Sequence, residues 1–292
     1  YYDFSRSFFK NNNFASFNFV SQGDNILKDT NTLRSRMINN LDVQSYGYFS
    51  EIGFKNNFNY YLKNTISAGK NNTEYDSSPH IKFMNIFELV SSFPLISTGD
   101  NYSNYLDPKI SLRINPSDMK SYKNVNRQIS NDNLFNINRL GLIDTLESGN
   151  NLTLGLDFKR ENIDNINKYF EFQLGKVLRT KTNNNLPSNS TIDKKNSNYF
   201  GKITNTLNDN INLNYEFSIN HDLDEIQYSS LSTTIKKNNF VTTFKYIEEE
   251  GKVGSANILE NVTTFDFNDQ NFITFKTREN REIDLTEYYD LI

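Results

Sequence analysis

The chain has no cysteine, only five prolines and two histidines in 292 residues, and no uninterrupted apolar run of eighteen residues. Without cysteine there are no disulfides and no thiolate metal sites, and the redox compartment stays open. Without a long apolar run there is no transmembrane helix, which says nothing against spanning strands of about 9–11 residues. His80 and His221 have no Ser, Asp or Glu at a spacing that would build a proton relay, and no HExxH, GxSxG or Gly-rich phosphate loop is present. An enzyme is therefore not expected, nor a metal or a cofactor. A formal net charge of −4, a pI near 5.4 and dispersed lysines and arginines argue against nucleic acid as a partner. No Pro- or Gly-rich linker divides the chain, so it is read as one unit.

Apolar residues are scarce as well. A hydrophobic content of 36% with mean hydropathy of −0.67 would, alone, suit a disordered chain. The 24 Phe and 17 Tyr are too many for a solvated coil, and they sit in alternating stretches. A barrel with a wet interior reconciles the two, because only its outward residues and interfacial girdles must be apolar.

The alternation is clearest at 211–220, where Ile211, Leu213, Tyr215, Phe217 and Ile219 share one face and Asn212, Asn214, Glu216, Ser218 and Asn220 the other. Leu152, Leu154, Leu156 and Phe158 oppose Thr153, Gly155, Asp157 and Lys159, and Ile110, Leu112 and Ile114 oppose Ser111 and Arg113. Further strands are expected at 134–144, 240–246 and 283–292, and in the first third at 14–20, 41–54, 58–68 and 80–90. Asn-, Asp- and Ser-rich stretches at 22–32 and 69–79 read as turns. A loop is expected after Pro94 and another at 115–132. All five prolines are expected at strand ends or in loops. From residue 160 onward longer connections (181–197, 221–227, 248–258) alternate with short ones (208–210, 237–239, 268–271), as in outer-membrane barrels with tight periplasmic turns and longer outer loops. About a dozen antiparallel strands are expected on this count.

Few residues carry chemistry. Asp222, Asp224 and Glu225 lack the Gly and distal Glu of a calcium loop, and the three glutamates at 248–250 read as a hairpin tip. Arg113 and Arg139 fall in expected strands, where a guanidinium facing lipid costs about 2–4 kcal/mol at mid-membrane. Both are expected to face the lumen, either pairing with carboxylates that brace the wall or meeting an anionic cargo.

The run LDPKISLRINP at 106–116, then NLFNINRLGLID at 133–144, then NLTLGL at 151–156, resembles LptD, the outer-membrane lipopolysaccharide-assembly barrel, in order and spacing. The resemblance singles out Pro108, Arg113, Pro116, Asn138, Arg139, Gly141, Asp144 and Gly155 as motif positions associated with the lumen. The Asp-Arg of the family pattern is displaced here, Gly141 being followed by Leu142, Ile143, Asp144 and Thr145. The resemblance implies an all-β antiparallel transmembrane barrel in the cell outer membrane. It would move lipopolysaccharide into the outer leaflet through a polar lumen and a lateral seam, with no covalent chemistry. It also implies a plug lipoprotein (LptE-like), periplasmic bridge proteins and outer-membrane lipid as partners. On this reading residues 1–292 are part of a larger barrel, without the family's N-terminal periplasmic jellyroll and without its closing strands. The chain begins at Tyr1, with neither an initiator Met nor a signal peptide, so it is read as processed or as a piece of something longer. Two rivals remain: another outer-membrane barrel, such as a porin or plugged nutrient transporter, and a soluble carbohydrate-binding β-sandwich.

Overall fold

A period-two pattern gives each strand one apolar and one polar face, and short connections pair such strands antiparallel with their neighbours in sequence. A computed structural model describes residues 2–11, 14–73, 75–268 and 270–292, with the backbone alone for 2–5, 7, 9 and 11. Glu74 and Asp269, inside the turns expected at 69–79 and 268–271, lie outside the described residues. The described strands are β1 (Tyr2–Asn11), β2 (Ala15–Lys28), β3 (Thr32–Ser45), β4 (Tyr48–Phe49), β5 (Lys55–Lys70), β6 (His80–Ser92), β7 (Leu95–Thr98), β8 (Tyr102–Asn115) and β9 (Gly149–Asn162). They continue with β10 (Tyr169–Arg179), β11 (Asn196–Asn208), β12 (Ile211–Ile219), β13 (Ile226–Lys237), β14 (Phe240–Glu249), β15 (Ala256–Asn268), β16 (Asn271–Asn280) and β17 (Leu285–Leu291). These seventeen strands form one antiparallel sheet. It runs as a meander from β1 to β17, with β4 continuing the place of β3 against β5 and β7 continuing that of β6 against β8. Among the described residues no register joins β1 to β17, so the sheet is not closed. It is a single sheet, without the second one that a sandwich requires.

Several expectations are corrected. The strand count exceeds a dozen because the first third is more regular than its composition suggests. Residues 22–28, expected as a turn, belong to β2, and the turn is confined to 29–31, where Asp29 and Thr30 take positive φ of 50° and 59°. The stretch 41–54 is the end of β3, then β4 and a turn. The loop expected after Pro94 contains β7, and the strand expected at 80–90 is β6. Glu248 and Glu249 end β14 instead of forming a hairpin tip. Pro108 lies within β8, not at its end. Its carbonyl accepts from Phe93 N at 3.0 Å, so its missing N–H faces the break at Pro94 where β6 gives way to β7. A donor absent there leaves no ladder bond unmade.

The registers fix the two faces. Inward from β8 to β12 lie Ser111, Arg113, Asn151, Thr153, Gly175, Val177, Phe200, Lys202, Glu216 and Asn214, and outward lie Leu112, Leu154, Leu174, Phe217 and Leu213. The outward cations of β9 and β10 are capped by rings: Arg160 lies 4.2 Å from the Tyr102 centroid and Lys176 lies 3.9 Å from that of Tyr199. From β11 onward the connections at one rim are short (208–211, 237–240, 268–271), and those at the other rim include 179–196, 219–226 and 249–256, with 70–80 and 115–149 earlier in the chain. The length alternation read from the sequence is thus present.

Neighbouring positions of β12 test the faces directly. Tyr215→Lys, outward and at the middle of β12, is expected to lower unfolding stability by about 2–4 kcal/mol. Asn214→Lys, inward, is expected to change it by less than about 0.5 kcal/mol. Denaturant titration of both variants reads the difference, and equal effects would reverse the assignment.

Candidate functional site

Beyond Asn115 the chain leaves the wall, and residues 116–148 fold against the inner face before Gly149 re-enters it as β9. The strand expected at 134–144 is not one: these residues form consecutive turns, and Arg139 therefore stands on the lumenal segment and not on the wall. The reason is visible in the pattern, for Leu134, Leu140 and Leu142 are buried in a small core with Met119 and Ile129, while Phe135 packs against it. That core is completed by Val177 of β10, Phe200 of β11, and Leu186 and Ile192 of the 180–195 connection. A second cluster joins Leu146 to Met84 and Ile86 of β6. Apolar residues on the inward phase of β6, β10 and β11 are what a lumenal partner requires.

A pair of glycines makes the floor. Gly155 and Gly175 face each other across β9 and β10, and a Cβ there would come within 2.6 Å of the Phe135 ring and 2.2 Å of Leu134 Cδ2. Only a bare backbone lets the segment lie that close.

Buried ions fix its position. Arg139 (3% exposed) donates from Nε to Glu147 Oε2 at 2.7 Å and from Nη2 to Glu147 Oε1 at 2.6 Å. Its Nη1 reaches Thr153 Oγ1 of the wall at 3.0 Å. Arg179 of β10 donates to the same Glu147 carboxylate and to the Ser148 carbonyl. Arg113 of β8 (2% exposed) donates from Nε to Glu88 Oε1 of β6 at 2.6 Å and from Nη2 to the Phe135 carbonyl at 2.6 Å. Burial would push the Glu147 carboxyl up, but the charges of Arg139 and Arg179 outweigh it and hold it at about 2. Asp144 behaves alike. Burial raises it, while hydrogen bonds from Tyr122, Lys120 and Tyr75 bring it to about 2. The same burial, with the bond to Asp144, pushes the Tyr75 hydroxyl up to about 12.

The contacts also define the curvature. Lys63 Nζ of β5 donates to the Ile143 carbonyl at 2.8 Å, and Gln128 Nε2 donates to Glu249 Oε1 of β14 at 3.0 Å. One short segment touches both strands only if the sheet curls around it. Beyond that contact, no hydrogen bond from 116–148 reaches the inner faces of β12 to β17 among the described residues, and those faces carry Asn214, Ser232, Thr264 and paired charges.

The family model described as LPS transport system D matches residues 7–277. The chain belongs to the LptD family. Among curated proteins none matches it. LptD proteins act in lipopolysaccharide transport at the outer membrane and are not enzymes. In this member of the LptD family, six of the eight motif positions gather around one feature. Arg113 and Gly155 hold the lumenal segment from the wall; Asn138 closes its turn by accepting from Leu142 N at 2.7 Å and donating to Leu142 O at 2.9 Å. Gly141 supplies a φ of +62° in that turn, and Arg139 and Asp144 are its anchors. Pro116, exposed, marks the exit from β8, and Pro108 stands apart at the β6 to β7 break. Both arginines pair with carboxylates, Arg113 from the wall and Arg139 from the segment. Glu88, Glu147, Arg179 and Gly175 complete the arrangement and were not singled out by the sequence. Glu88 sits directly opposite Arg113 in the β6–β8 register, and Gly175 opposite Gly155, signals that exist only once the registers are known.

Arg139→Ala leaves a buried carboxylate with one fewer partner and is expected to destabilise docking of 116–148 by about 3–5 kcal/mol. Amide hydrogen exchange in that segment, with the outer strands unchanged, is the readout. Because the folded Asp144 and Glu147 carboxyls lie below their ordinary values of 3.8 and 4.5, their stabilisation is complete above those values and lost as pH falls through about 2. Exchange corrected for intrinsic rate is expected to stay flat from pH 7 to about 5 and to rise at more acid pH.

Proposed function

We propose that this chain forms part of the wall of a lipopolysaccharide-assembly barrel in which the saccharide head moves through the polar interior while the acyl chains leave through a lateral seam. The observation that carries the reading is the division of the inner face. One part is covered by 116–148, and the other, from β12 to β17, stays polar and open. A lipid with a charged sugar head and apolar tails needs a wet path for the first and a break between strands for the second, because a wall of fully paired strands has no exit. The long connections then face outward from the cell and the short turns face the periplasm. A plug lipoprotein of the LptE kind would occupy the open part of the interior, and periplasmic bridge proteins would deliver the lipid. On the same reading, the jellyroll and the closing strands belong to parts of the protein outside residues 1–292.

The test is depletion of the gene product in its native cell, followed by assay of newly made lipopolysaccharide at the surface. Retention in the inner membrane or periplasm is the expected result. Unchanged surface lipopolysaccharide together with failed uptake of a solute would assign the barrel to transport of that solute instead.

A further inference from the structure

A cavity of ≈ 490 Å³ opens at the rim of long connections, between 180–195, 219–226 and 249–256. None of its lining residues belongs to the arginine cluster, although Arg179 N donates to the Lys195 carbonyl at 2.7 Å. Its floor is built: Asn198 (5% exposed) donates from Nδ2 to Ser218 Oγ at 2.9 Å and to Gln227 Oε1 at 2.9 Å, and Gln227 (6% exposed) donates in turn to Glu225 Oε2 at 2.8 Å. Its walls carry Lys194, Lys195, Lys252 and His221 against a single carboxylate, Glu225. Lys194 is paired with Asp193 at 2.9 Å and His221 Nε2 lies 3.3 Å from Asp222. Lys195 and Lys252, contributed by different connections, form no ion pair among the described residues. The lining itself thus sets three lysines against one carboxylate, and two of its ammonium groups are uncommitted.

The lining also says what does not bind. It has no aromatic ring on which a base could stack and no apolar wall for an acyl chain. Amide side chains and ammonium groups match hydroxyls and anionic oxygens. We infer that this rim cavity binds a phosphorylated or acidic saccharide, with Lys195 and Lys252 on its anionic groups and the Thr182 and Asn196 side chains of the lining on its hydroxyls. The source of that saccharide, a lipid head group of the outer leaflet or a free sugar phosphate, rests on the transport reading; the site itself does not.

The test uses the whole protein in lipid nanodiscs with N-acetylglucosamine 1-phosphate as probe and N-acetylglucosamine as its uncharged control. Wild type is expected to bind the phosphate with an affinity that falls with added salt, and to bind the control far more weakly. The exposed double substitution Lys195→Gln/Lys252→Gln is expected to weaken phosphosugar binding about 10-fold or more, two charge-assisted contacts being lost. Lipopolysaccharide incorporated in the nanodisc competes with the probe if the ligand is a lipid head, and leaves it undisturbed if the ligand is free. Equal binding by the double variant, equal binding of the uncharged sugar, or no binding to wild type would overturn the assignment. Normal surface lipopolysaccharide after depletion would sink the transport reading while leaving these binding results as they stand.

Discussion

The lumenal arrangement turns on one carboxylate, Glu147, held between a guanidinium of its own segment and one of the wall. Taking three charges out of water costs several kcal/mol per ion, and their attraction repays it only when the geometry is nearly complete. The cluster is therefore a poor source of net stability and a strong source of specificity. An apolar contact would tolerate a slide of a few ångströms along the inner face. Arg139, forked onto both Glu147 oxygens and bonded to Thr153, does not.

The rest of the inner face follows from that fixed position. With Glu147 placed at the start of β9, Leu134 and Phe135 come down on the paired glycines of β9 and β10, and Leu146 on Met84 and Ile86. The wall beneath the segment is built like the interior of a soluble protein, with small and apolar inward residues. The wall elsewhere is built for water. Two kinds of surface thus share one sheet, and the boundary between them is set by how far 116–148 reaches, from Lys63 on β5 to Gln128 against β14.

Much of this was legible in the sequence, and the limits have physical causes. Strict alternation at 211–220 and 151–159 marks strands because both faces there are uniform, one apolar and one polar. Where the inner face meets the segment, the alternation is blurred by Val177 and Phe200, apolar on the inward phase, and periodicity alone cannot tell them from lipid-facing residues. The stretch 134–144 misled for the converse reason: Leu134, Leu140 and Leu142 are buried by packing in turns, and apolar residues in turns leave no period to read. Arg113 and Arg139 could be sent inward from cost alone. Their partners could not be named, since Glu88 and Arg113 lie 25 positions apart and meet only through the β6–β8 register.

The distribution of charge along the open wall bears on how an anionic head could pass without being trapped. Passage needs contacts favourable enough to enter and weak enough to leave. Inward Lys202 faces Glu216, Lys245 faces Glu260 and Lys276 faces Asp290 across the ladders, while Arg278 is bonded to both Glu260 and Glu287. Lys202 and Arg278 form ion pairs that would have to be displaced before a phosphate could bind them tightly, whereas Lys245 and Lys276 only face a carboxylate across the ladder. Hydroxyls and amides such as Asn214, Ser232 and Thr264 supply the remaining contacts, each modest in water. At the rim, Lys195 and Lys252 lie outside the ladders and form no ion pair among the described residues. Charge on the open wall is thus set against its opposite across the ladders, whereas the two rim lysines have no such partner.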